Sequence, residues 1–343
     1  MVSQPYKTLE ELLEEARKRI QVEPNELDEA KRRRTAIKDA LLKEFPGGRV
    51  YYNGSVAHGD ALTPLTDIDV GVVVPDPAHE YGPGRRGPRG LMDRAADAVR
   101  RELKAEYGDL RVEVEGRKRS VLVRFNDPVR AGWADFTADI IVAIDNPSGR
   151  GLYIPKWDSW DRSDPETHTR MVLAAIESSK VRYARDVRLL KHWNRQRSTR
   201  LMCSWHIKVL ALACLNTPGN LLDGLVGWFE HAVRRLQAGP TPDPAKVGPN
   251  VKTPIPQAEV VRQLRNGLDL LRDAIRLESE GWAVLAHAKL AEFFNDPKML
   301  PAPSPVDVRL QEADRLRKRN ELRTTRPAVV GVQPPVRSWS RSK

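Results

Sequence analysis

Cysteine is nearly absent from this sequence: 343 residues hold two, Cys203 and Cys214, both inside one apolar stretch, MCSWHIKVLALACL. That argues against a disulfide framework and against a cysteine-built zinc site. No apolar run approaches the ~20 residues needed to cross a bilayer, so no membrane span is expected. The opening residues, MVSQPYKTLEELLEEARKRI, lack a basic region followed by an apolar one, so no secretory leader is expected. A reducing cytoplasm is the expected location. No internal repeat is present.

What the chain does have is charge. Lys and Arg number 57 against 46 Asp and Glu, a net charge of +11, alongside 40% apolar residues. This is the balance of a soluble globular protein of one or two domains with polyanionic partners such as nucleotides or nucleic acid. Lys31, Arg32, Arg33, Arg34 and Lys38 concentrate positive charge on one long helix, a candidate face for RNA or another polyanionic activator through phosphate contacts. A plain solvated face is the alternative.

The pattern along the chain is mixed at first and then helical. Helices are expected over 7–20, 25–45 and 91–107, and strands at RVYYNG, at 69–74, and at 110–115, 119–125 and 135–144. Pro46-Gly47-Gly48 ends the second helix, and 80–90 is a Gly/Pro/Arg loop. Consecutive β runs predict an α+β fold with a mixed sheet. From Asp164 or Ser163, either of which suits a helix cap before Pro165, the pattern turns helical: 165–178, 180–196, 204–216, 222–237, 257–279, 281–294 and 306–322. The expected units are 1–160, a catalytic core with N-terminal helices; 161–322, a helical domain closing a cleft; and 323–343, a basic, disordered tail.

The informative segment is GSVAHGDALTPLTDIDVGVVV, which joins Gly54-Ser55 to Asp67-Ile68-Asp69. On a strand, residues i and i+2 share a face about 6.5–7 Å apart, so Asp67 and Asp69 stand side by side while Ile68 and Val70 face the core. Two such charges repel without a counter-cation. A pair of Mg²⁺ ions about 3.5–4 Å apart satisfies both and suits in-line phosphoryl transfer, with Mn²⁺ as a substitute. Gly54 permits close approach to a phosphate, and Ser55 adds a hydroxyl and amides at a short helix entry. Glu113-Val114-Glu115 has the same acid-x-acid form but reads as a solvated edge.

A third carboxylate is expected from a neighbouring strand. Asp135, Asp139 and Asp145 are the candidates, and Asp139 is preferred because it opens the apolar run DIIVA. Asp145, before Asn146-Pro147, reads as a turn residue.

On these motifs the sequence resembles the polymerase-β-like superfamily, and within it the cGAS/DncV-like nucleotidyltransferases, or CD-NTases. WDSWDRSDPETH is similar to the family's tryptophan–Asp-Pro stretch. LLKHWNR resembles a helix whose lysine reaches the triphosphate, which would be Lys191. CSWHIKVLAL resembles a helix start where a serine contacts phosphate and an aromatic stacks on the donor base, here Ser204 and Trp205. Without the resemblance, Lys191 reads as a solvated lysine, Ser204 as a cap, and Trp193 and Trp205 as packing. The resemblance implies a polymerase-β-like nucleotidyltransferase core plus a C-terminal helical domain. It implies an enzyme that joins NTPs into a cyclic or linear oligonucleotide second messenger, releasing pyrophosphate, in bacterial anti-phage signalling with a downstream effector that senses the product.

Two departures stand out. Gly59-Asp60 occupies the place of a usual Gly-Thr, and His58, without a family role, reads as a surface histidine. No Cys/His zinc insertion of the animal DNA sensor is visible. Nucleotidyl transfer to a small molecule, RNA or protein is the competing activity, and a non-enzymatic nucleotide- or RNA-binding regulator is the third reading.

Overall fold

The computed structural model describes residues 6–324. Helix α1 (Leu9–Arg19) starts in a capping box, Thr8 accepting from the Glu11 amide and Glu11 from that of Thr8. Helix α2 (Pro24–Glu44) follows, and then β1 (Arg49–Asn53), the single turn α3 (Gly54–Ala57) and β2 (Asp67–Val74). Helix α4 (Arg89–Leu103) leads to β3 (Arg111–Glu113), β4 (Val121–Arg124) and β5 (Thr137–Asp145). These strands form one mixed sheet in the order β1-β2-β5-β4-β3; β2 and β5 run parallel and the other neighbours antiparallel.

A hairpin, β6 (Leu152–Lys156) and β7 (Ser159–Ser163), extends the sheet beside the far end of β5. Its sequence gives little sign of this. KWDSWDRS has no apolar alternation, and the hairpin takes its place from backbone pairing with the part of β5 that β4 leaves free.

Alternate residues of β2 and β5 are buried under α2 and α4, among them Ile68, Val70, Val72, Ala138, Ile140 and Val142. Arg33 belongs to this core. It is 1% exposed, its guanidinium lies over the Phe125 and Phe136 rings, and it bonds Glu29 and Asp127. Arg33 is therefore not part of a polyanion-binding face. Arg32 pairs with Glu29 and Glu106, and Lys31 with Asp28. Lys38 pairs with Asp39, and Arg34 lies over the Tyr52 ring without an acidic partner among the described residues.

The second half is helical: α5 (Pro165–Ser178), α6 (Arg182–Arg195), α7 (Ser204–Leu212), α8 (Leu221–Gln237), α9 (Gln257–Ser279), α10 (Ala283–Phe294) and α11 (Pro305–Thr324). Asp164 caps α5 by accepting from the Thr167 amide. Trp193 centres this core, with the Phe229 and Phe293 rings 4.8 and 5.8 Å away. Helix α1, grouped by sequence with the first half, buries Leu9, Leu12, Leu13 and Ala16 here instead. Arg323 and Thr324 end α11, and the rest of the expected tail lies outside the described residues. No described helix is long and apolar enough to cross a membrane.

Candidate active site

Parallel pairing of β2 with β5 sets Asp69 directly opposite Asp139, and Asp67 opposite Thr137. Paired residues on adjacent strands share a face, so Asp67, Asp69 and Asp139 occupy one side of the sheet about one strand spacing apart. Burial pushes Asp69 up to about 6, and the charges of Asp67 and Asp139 push the same way, against Lys208 and Lys191. Asp139 Oδ1 accepts from Ser120 Oγ at 2.5 Å and from Arg117 at 2.9 Å. Asp145 ends β5 and pairs with Arg49, away from the acids.

Gly54 has a φ of 75° and packs against Asp69 with no room for a side chain. It begins α3, so Ser55 stands beside the acid pair. A cleft of about 500 Å³ opens here, lined by Gly54, Ser55, Asp67 and Asp69 on the sheet side and by Lys191, Ser204 and Trp205 on the helical side. Asp139 is outside this lining, with its side chain 40% exposed. Ser204 is the exposed first residue of α7, whose cap is Cys203. Trp205 is half-buried against His168, ring centres 4.5 Å apart, and Asp243 bonds the far side of that imidazole at 2.6 Å.

Lys191 is more deeply seated than a solvated lysine. It is 3% exposed and donates to the Asp60 carboxylate and carbonyl at 2.8 and 2.9 Å. Lys208 reaches the other carboxylate oxygen of Asp60 at 2.8 Å. Burial would raise the Asp60 pKa, but the two ammoniums outweigh it and hold the carboxyl below the usual range. Asp60 thus fixes two lysines side by side beneath the Gly54 turn.

His58 is not a surface histidine. It is buried, accepts from Lys208 at Nδ1 (2.8 Å) and donates from Nε2 to Thr169 (3.1 Å). Burial, then Lys208, pulls its pKa down to about 3, so it stays neutral. Lys208, Arg119, Arg195 and His168 also line the cleft and were not singled out in sequence. Lys208 was within reach, since it follows Ser204 by four residues on one helix face.

Among the described residues no three His, Cys, Asp or Glu side chains converge into a ready-made metal cage. The donor set still fits a hard divalent cation. All three acids present oxygen, and their mutual repulsion at Asp69 is the surplus charge a cation relieves.

Residues 34–143 match the nucleotidyltransferase domain family. No curated protein matches the chain. Among solved structures, CdnC of E. coli MS115-1 with ATP is 20% identical, covering 81% of this chain and 95% of its own, with a TM-score of 0.59. The Bradyrhizobium diazoefficiens CD-NTase CdnG with GTP is 15% identical over 85% and 96%, TM-score 0.61. The Vibrio cholerae DncV cyclic AMP-GMP synthase is 14% identical over 83% and 85%, TM-score 0.53. The chain carries a nucleotidyltransferase domain and has the fold of these proteins.

Proposed function

We propose that this chain, with its nucleotidyltransferase domain, is a divalent-metal-dependent enzyme that joins NTPs into a cyclic or linear oligonucleotide messenger. The observation that carries the reading is the register of Asp69 with Asp139, which faces an acid cluster toward a cleft bounded by lysines and Trp205. Support for the product class comes from the fold shared with DncV, described as a cyclic AMP-GMP synthase, and with CdnC and CdnG, described with ATP and GTP. Residues 1–160 would form the catalytic half and 161–322 the half that closes over substrate. A role in anti-phage signalling, with an effector reading the product, completes the proposal.

Asp67, Asp69 and Asp139 would hold Mg²⁺, which supplies charge neutralisation on the triphosphate and acidifies the attacking hydroxyl. The chain's own residues do the rest. Gly54 and Ser55 receive the phosphates from the sheet side, and Lys191 and Ser204 from the helical side. Trp205, backed by His168, stacks on the donor base. The acceptor hydroxyl oxygen bonds to the α-phosphorus as the α–β bridging bond breaks. Its proton passes to Asp139 and on to solvent, and pyrophosphate leaves.

The test is incubation of purified protein with α-labelled NTPs and Mg²⁺ or Mn²⁺. Phosphatase-resistant oligonucleotides are expected, and none from the folded Asp67→Ala/Asp69→Ala double variant. Product that forms only after a small molecule, RNA or protein is added would transfer the assignment to that acceptor. Tight NTP binding without turnover in Mn²⁺ would make the protein a nucleotide-binding regulator.

A further inference from the structure

Trp157 is the most exposed tryptophan described, at 55%, and its backbone is left-handed with φ 56°. That conformation is costly for a bulky residue and persists where the surroundings impose it. Trp157 sits in the turn between β6 and β7, and its amide donates to the Lys118 carbonyl at 2.7 Å. This bond ties the turn to the loop before β4. The same loop carries Arg117 and Ser120, both of which hold Asp139 Oδ1.

Basic residues lie in the two segments joined at Trp157. Lys118 is exposed and has no acidic partner among the described residues, and Lys156 adjoins Trp157 in sequence. Arg119 and Lys156 share Asp161, at 2.7 and 3.0 Å, and exposed Asp158 is the other acid of the turn. Arg119 and Ile154, from the two joined segments, both line the active-site cleft. Trp157 is thus an exposed aromatic whose turn is joined to the loop that holds Asp139, while Trp205 lines the cleft from the helical side. Flat aromatic faces next to lysines are what a base and its phosphate require.

We propose that Trp157, with Lys118 and Lys156, is the platform for the nucleotide that supplies the attacking hydroxyl. The base stacks on the indole, the 5′-phosphate lies by the lysines, and the ribose is directed to Asp139. This rests on the nucleotidyl-transfer reading and adds the place and chemistry of the second substrate: a nucleotide held by stacking and charge rather than by a closed pocket.

Nucleoside 5′-monophosphates test it, because they accept a nucleotide but, lacking pyrophosphate, cannot donate one. With a saturating α-labelled NTP donor, Trp157→Ala raises the KM for the monophosphate about tenfold, in keeping with one lost base–aromatic stack. The rise falls on KM rather than kcat, the KM of the donor NTP is unchanged, and Trp157→Phe recovers most of the loss. Lys118→Gln/Lys156→Gln also raises the monophosphate KM and flattens its dependence on salt. A wild-type monophosphate KM in Trp157→Ala, or equal rises for donor and acceptor, overturns the proposal while leaving nucleotidyl transfer intact. So does loss of RNA-oligonucleotide binding with an unaltered monophosphate KM, which would make the surface an RNA site. Wild-type protein that transfers to no acceptor removes the underlying reading and this proposal together.

Discussion

A Cβ added to Gly54 would lie 1.7 Å from Asp69 Oδ2, so the two residues are in direct contact. The Gly54 turn and the second acid of β2 are thus one packed unit. Gly54→Ala must displace the carboxylate and also hold alanine at a φ of 75°. Nucleotidyl transfer is expected to fall at least 100-fold, with about 1–2 kcal/mol lost in urea denaturation. Wild-type pyrophosphate release from Gly54→Ala would separate the turn from the site.

Asp139 differs from the acid pair in its partners, since Ser120 and Arg117 both donate to its Oδ1. Asp139→Asn keeps an acceptor for Ser120 and removes the proton acceptor. Turnover should drop by about 10²–10⁴-fold with little change in thermal midpoint. A drop smaller than tenfold would assign the proton to another group.

Asp69 carries the pH signature of the metal-free protein. Its carboxyl titrates near 6 when folded and near the ordinary Asp value when unfolded, so the folded state binds more protons between those limits. Stability of the metal-free form therefore falls as pH rises through about 4 to 6. Asp69→Asn should stabilise the metal-free protein by about 1–3 kcal/mol at pH 7.5 and by little near pH 4. Added Mg²⁺ should raise the thermal midpoint of wild type and not of Asp69→Asn. Equal Mg²⁺ responses would place the metal elsewhere.

Asp60 lies between two ammoniums and bonds both. Asp60→Ala leaves both buried without the carboxylate that bonds them, a loss of about 3–5 kcal/mol. If the lysines serve the triphosphate, pyrophosphate should raise the thermal midpoint of the milder Asp60→Asn variant more than that of wild type. An equal response in both would confine the triad to a structural task.

Sequence showed the acids and their strands because an apolar run opened by Asp-x-Asp is legible at short range. It placed Asp139 by its position in DIIVA, and the sheet register then set it beside Asp69. The β6–β7 hairpin stayed hidden because backbone pairing with β5, and not side-chain pattern, holds it there. His58 was misread for a related reason: its burial comes from Lys208 and Thr169, more than a hundred residues away. Lys191 likewise depends on Asp60, a residue that looked like a mere departure from a motif.

Helix α1 packs among the helices of the second half, whereas α2 packs on the sheet. The backbone consequently passes from one body to the other twice, at Ile20–Glu23 and again at Ser163–Asp164. A single tether would let the bodies swivel freely. Two resist torsion, and the buried bonds of Asp60 to Lys191 and Lys208 and of His58 to Thr169 join the halves between them.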